Sequence, residues 1–132
     1  AAGVRPNVVT YNALASTYAY AKEGGQWDRA EAVKAEMRAD GLEPDIITYN
    51  SILNAYGSKG GGQGERAEAV MEEIRAAGLR PTGVTYVALV SCHSKDGHWD
   101  RAEAALAEMW AAGLQPNITA YNALLNAYAS DG

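Results

Sequence analysis

The sequence predicts an all-α fold, a solenoid of helix-turn-helix repeats 35–38 residues long, and three observations carry that prediction. The stretch P-D-I-I-T-Y-N (Pro44 to Asn50) returns in variant form as P-N-V-V-T-Y-N (Pro6 to Asn12), P-T-G-V-T-Y-V (Pro81 to Val87) and P-N-I-T-A-Y-N (Pro116 to Asn122). The four prolines stand 38, 37 and 35 residues apart, a period that marks stacked supersecondary units rather than one globular core. Between them, apolar residues recur at steps of three, four and seven, the period of a helix face.

Each recurrent stretch joins a helix stop to a helix start. Proline cannot continue a helix, and the Asp, Asn or Thr after it has a short side chain able to accept from the free N–H groups of a new one. The first helix of repeat one then carries Tyr11, Leu14, Ala15 and Tyr18 on one face. The same comb returns as Tyr49, Ile52, Leu53, Tyr56, as Tyr86, Leu89, Val90, His93, and as Tyr121, Leu124, Leu125, Tyr128. A glycine-rich or polar turn follows each complete first helix, K-E-G-G-Q, S-K-G-G-G-Q-G and S-K-D-G-H in order. The extra residues of repeats one and two sit there, where insertion costs little loop entropy. Second helices begin at Trp27, Gly64 and Trp99, with inner faces Ala30, Val33, Met37, then Ala67, Val70, Ile74, then Ala102, Leu106, Met109. Each ends on glycine followed by leucine, Gly41–Leu42, Gly78–Leu79 and Gly113–Leu114, the pattern of a left-handed cap with leucine folded back on the last turn.

These elements divide the chain into the tail of a preceding repeat (residues 1–7), three repeats (8–45, 46–82 and 83–117) and the first helix of a fourth (118–132). The chain is therefore expected to be a piece of a longer array whose targeting segment and other domains lie outside it. Its lone cysteine, Cys92, cannot make an internal disulfide, which fits a reducing compartment. No run approaches the length of a membrane span. Cys92, His93 and His98 are the residues a metal would look for, but the spacing C-H-x4-H matches no standard zinc pattern, and His93 falls where Tyr18 and Tyr56 fall on the inner face. It reads as a core histidine, and no metal or other cofactor is expected. Trp27 and Trp99 share one position and read as inter-repeat packing, whereas Trp110 has no counterpart. No glycine-rich phosphate loop and no nucleophile with a recurrent base and orienter is present, so no catalytic activity is expected.

V-T-Y-N at the head of the first helix, A-E-M-x-A-x-G-L-x-P at the end of the second and the period near 35 residues resemble the pentatricopeptide repeat family over the whole chain. The resemblance implies a right-handed superhelix that binds single-stranded RNA in mitochondria or chloroplasts, one nucleotide per repeat. It implies that the fifth and last residues of a repeat face the base edge, and that the second, usually aliphatic, packs on the base plane. Repeat one then offers Asn12 and Asp45 with Val9, a pairing that favours U in the family; repeat two offers Asn50 and Thr82 with Ile47, read as pyrimidine. Repeat three offers Val87 and Asn117 with Val84, and valine cannot hydrogen-bond a base, so its nucleotide is expected to be read poorly. The last half repeat offers Asn122, with Thr119 where an aliphatic residue is usual; Asn7 belongs to the preceding repeat. Lys22, Lys59 and Lys95, near the ends of first helices, are where the family can meet phosphate.

Structural readings stand beside these. Asp45, Thr82, Asn117 and Asn7 follow proline at a helix start, so capping alone would select them. Asn12, Asn50 and Asn122 could make local backbone hydrogen bonds. Val9, Ile47 and Val84 could pack between repeats, and the lysines could compensate helix C-termini. The net charge of −5 points away from phosphate binding. Most of the sixteen carboxylates, however, lie on the second-helix segments, and the first helices carry none before their closing turns. That leaves a neutral to mildly basic first-helix side and an acidic back. A structural or protein-binding scaffold within an organellar assembly is the alternative function.

Overall fold

The computed structural model describes residues 7–19, 27–57 and 63–115, together with residues 118, 121, 122 and 125 of the stretch that follows. Six helices follow in order: α1 (Val8–Ala19), α2 (Trp27–Ala39), α3 (Ile46–Tyr56), α4 (Gly64–Ala76), α5 (Gly83–Lys95) and α6 (Trp99–Ala111). There is no strand among the described residues. Residues 118, 121, 122 and 125 are also helical.

Local chemistry sets where these helices start and stop. Asn7 Oδ1 accepts from Thr10 N at 3.0 Å to open α1, and Asp45 Oδ1 accepts from Thr48 N at 3.1 Å to open α3, while Asp45 N donates back to Thr48 Oγ1 at 3.2 Å. That reciprocal pair is a capping box. At the other end, Gly41, Gly78 and Gly113 hold φ of 79°, 75° and 83°. The leucine after each donates to the carbonyl five residues back, Leu42 to Met37 at 2.8 Å, Leu79 to Ile74 at 3.1 Å and Leu114 to Met109 at 3.1 Å. The left-handed glycine closes the helix as the sequence predicts. α5 closes the same way on Gly97, with His98 N donating to His93 O at 2.9 Å.

Each first helix packs on its own second helix and on the next first helix, α1 on α2 and α3, then α3 on α4 and α5. The second helices α2, α4 and α6 make no close backbone approach to one another among the described residues. Long side chains span the gap instead, Lys34 to Glu73 at 2.6 Å, Arg66 to Glu31 at 3.5 Å and Arg75 to Glu108 at 3.2 Å. A stack that is tight on one side and open on the other curves, and its first helices face the concave side. Between the layers run two apolar clusters, one around Tyr11, Ala15, Val33 and Met37, the other built on Tyr49, Ile52, Leu53, Tyr56, Ile74, Leu89 and Met109. Trp27 packs across the repeat junction on Tyr56, ring centroids 6.1 Å apart, with the Arg66 guanidinium 4.4 Å above it. Trp110 is exposed.

Candidate nucleic-acid interface

The two complete asparagine positions are both buried, Asn12 at 7% and Asn50 at 9% exposure. Their amides do not turn back to the local backbone. Asn12 Nδ2 donates to Asp45 Oδ1 at 3.1 Å, and its Oδ1 accepts from the Thr48 hydroxyl. One repeat later the same lattice returns: Asn50 Nδ2 donates to Thr82 Oγ1 at 3.1 Å and Asn50 Oδ1 accepts from Thr85 Oγ1 at 2.5 Å. Helix α1 thus meets the start of α3, and α3 the start of α5, through residues that sit 33 and 32 positions apart. Capping and contact with the asparagine coexist on one atom, since Asp45 Oδ1 serves both.

The threonines are what sequence reasoning missed. Thr48 and Thr85 are fully buried, and each gives its single hydroxyl proton to an asparagine oxygen, which leaves only the NH2 to face Asp45 or Thr82. A carboxylate can only accept, so the amide orientation in repeat one follows from the network. The second N–H of Asn12 and the Oδ2 of Asp45 make no hydrogen bond among the described residues. Repeat one therefore presents a donor beside a charged acceptor, and repeat two a donor beside a hydroxyl. The signal was the T of T-Y, recurring as Thr10, Thr48 and Thr85, three residues after the capping Asn7, Asp45 and Thr82.

Val9, Ile47 and Val84 are 74%, 56% and 53% exposed. Packing between repeats does not account for them. They form a row of aliphatic side chains in the first turns of α1, α3 and α5, beside the polar pairs. Val87 is half-buried against the core and occupies the place of the amide. Asn122 is exposed. Lys95 is exposed at the end of α5 and forms no ion pair among the described residues. Lys22, Lys59, Asn117 and Thr119 lie outside the described residues. No helix among those described is long and apolar enough to cross a membrane.

Cys92 is buried, and its Sγ lies 3.5 Å from Leu53 O. Burial, with the Asp96 and Glu68 carboxylates adding to it, pushes its thiol up to about 12, so it packs rather than reacts. His93 is fully buried, as its place in the comb predicts.

The Pentatricopeptide repeat domain family matches residues 1–59 and 65–131, and the PPR repeat matches residues 47–79. Among solved structures, the chain is similar to the pentatricopeptide repeat protein PPR10 in complex with an 18-nt psaJ RNA element, at 36% identity and a TM-score of 0.80, over 96% of this chain and 18% of that one. PPR10 from maize matches at 28% identity and a TM-score of 0.74, over 98% of this chain and 18% of that one. The PPR domain of Arabidopsis thaliana protein-only RNase P 1 in complex with tRNA shares the fold at 20% identity and a TM-score of 0.77, over 97% of this chain and 65% of that one. A search of curated proteins gave no match. The chain belongs to the pentatricopeptide repeat family. It spans 18% of the length of PPR10.

Proposed function

We propose that this chain is part of an array that binds single-stranded RNA sequence-specifically, one nucleotide per repeat, in organellar RNA processing, stability or translation. The observation that carries this is the repeated juxtaposition of an oriented asparagine N–H, an acceptor from the next repeat and an exposed aliphatic side chain. The RNA held by PPR10, the solved structure sharing 36% identity with this chain, supports the same reading.

At repeat one, the Asn12 N–H and the Asp45 carboxylate ask for a base edge offering an acceptor beside a donor. Uracil has an acceptor on both sides of its central N–H and satisfies the pair either way round, whereas cytosine does so only with its amino group toward Asp45. Guanine and adenine edges also offer an acceptor beside a donor, so the choice of U at repeat one rests on the family's pairing of Asn with Asp; repeat two is expected to take a pyrimidine, and Val87 leaves repeat three without a polar reader. Each base is worth about 1–3 kcal/mol, part of which association consumes, so three repeats alone bind weakly and useful affinity needs a longer array.

Selection from a randomised single-stranded RNA pool at near-physiological salt tests this. Enrichment of U facing repeat one, lost in Asn12→Ala, is the expected result. Retention without sequence preference, unchanged by Asn12→Ala and Asn50→Ala, would leave the scaffold reading that Val87 and the acidic balance favour.

A further inference from the structure

At the junction of repeats two and three, the structure brings together a second set of polar groups that RNA reading does not use. His93, Asp96 and His98 each place one ligand atom within 4.8 Å of the other two. The Gly97 cap does this, because it folds His98 N onto His93 O and so returns the chain over the end of α5. Cys and His spacing alone does not reveal the cluster, since its third ligand is an aspartate.

Three features make this more than a chance cluster. His93 Nε2 lies 2.7 Å from Glu68 Oε1, a contact that in the neutral ring places the proton on Nε2 and leaves Nδ1, buried and without a hydrogen-bond partner, with a free lone pair. A buried imidazole nitrogen left unmade is costly, and a carboxylate behind the ring is the arrangement that orients metal-ligating histidines. Second, Asp96 Oδ2 is held by Gly64 N at 2.9 Å. Third, a side chain at position 64 would close the site, its Cβ falling 2.4 Å from Asp96 Oδ2 and 2.9 Å from His93 Nδ1. Gly64 stands where Trp27 and Trp99 stand in the other repeats. At the preceding junction Trp27 packs on Tyr56; here that pair is replaced by Gly64 and His93, which removes an indole and leaves a depression lined by Gln63, Gly64, Glu65, Arg66, Asp96 and His98.

We infer that His93, Asp96 and His98 form a binding site for a zinc-type divalent cation, with Glu68 behind His93 and the fourth position open to solvent. Two nitrogens and one oxygen suit a borderline-soft ion in tetrahedral coordination. Ligand atoms about 3.4 Å apart are needed around such an ion, so the cluster closes by at most about 1.4 Å, a movement toward which the exposed His98 side chain can contribute. A bound ion would tie the start of α4 to the turn after α5.

The test titrates the whole chain, stripped by chelator, with Zn2+ by calorimetry and with Co2+ by absorption spectroscopy. The expected results are one ion per chain, a raised thermal midpoint, and at least about tenfold weaker binding in His98→Ala and in Asp96→Asn. Both positions lie outside the core, so an unchanged circular dichroism spectrum keeps these variants interpretable where His93→Ala does not fold. Absence of saturable binding at 100 µM Zn2+, about the level below which a specific site is expected to fill, overturns the inference. So does equal affinity in His98→Ala.

Discussion

A threonine hydroxyl decides which way each asparagine amide points. Thr48 accepts from Asp45 N while giving its proton to Asn12 Oδ1, so one side chain both completes a helix cap and orients the group facing the groove. Thr48→Val keeps the shape and removes both bonds. A buried acceptor left unmade costs about 1–3 kcal/mol, to be read by urea denaturation. The preference for U over C at the nucleotide facing repeat one falls toward parity in the same variant, measured with RNAs differing at that base alone. A purely structural threonine would lower stability and leave the preference intact.

At the scale of the helix, the caps make a contrast between two glycines. Gly78 holds φ of 75° with nothing within 4 Å of an added Cβ, so Gly78→Ala meets backbone strain and no clash. It should lower unfolding free energy by about 1–2 kcal/mol. Gly83 opens α5 without a left-handed φ, and its Cβ would meet only Met109 Cε at 3.6 Å. There, Gly83→Ala should stabilise by roughly 0.4–1 kcal/mol by restricting the unfolded chain; urea midpoints of the two variants should move in opposite directions. The helices were legible in the sequence because proline, glycine and the capping Asp or Asn act within a few residues. Asn12 with Asp45, and Asn50 with Thr82, were legible only through the resemblance. The roles of Thr48 and Gly64 were not, because each depends on which residue of a neighbouring helix lies opposite.

Across the whole molecule, three tyrosine phenols sit above their ordinary range and bear on its stability in alkali. Tyr11 is raised chiefly by its hydrogen bond to Asp40, Tyr49 by burial, and Tyr56 by burial with Glu31 adding to it. Their folded values exceed the unfolded 10.0, so their contribution is complete below that pH and is lost as pH rises through the folded values. The buried Cys92 thiol, raised from 9.0, adds to this, so unfolding free energy should hold level from neutrality to about pH 8 and fall beyond it, less steeply in Tyr11→Phe. A separate consequence follows from the asparagine lattice for anyone recombining such arrays. A cassette cut at residues 8–45 carries Asn12 and Asp45 but abandons Thr48, the residue that orients the amide. The chain's own sequence respects that coupling: where Asn12 and Asn50 are followed by Thr48 and Thr85, Val87 is followed at the matching place by Ala120. The transplantable word therefore begins inside one helix and ends inside the next, and splicing should fall between the third and fifth residues of a first helix.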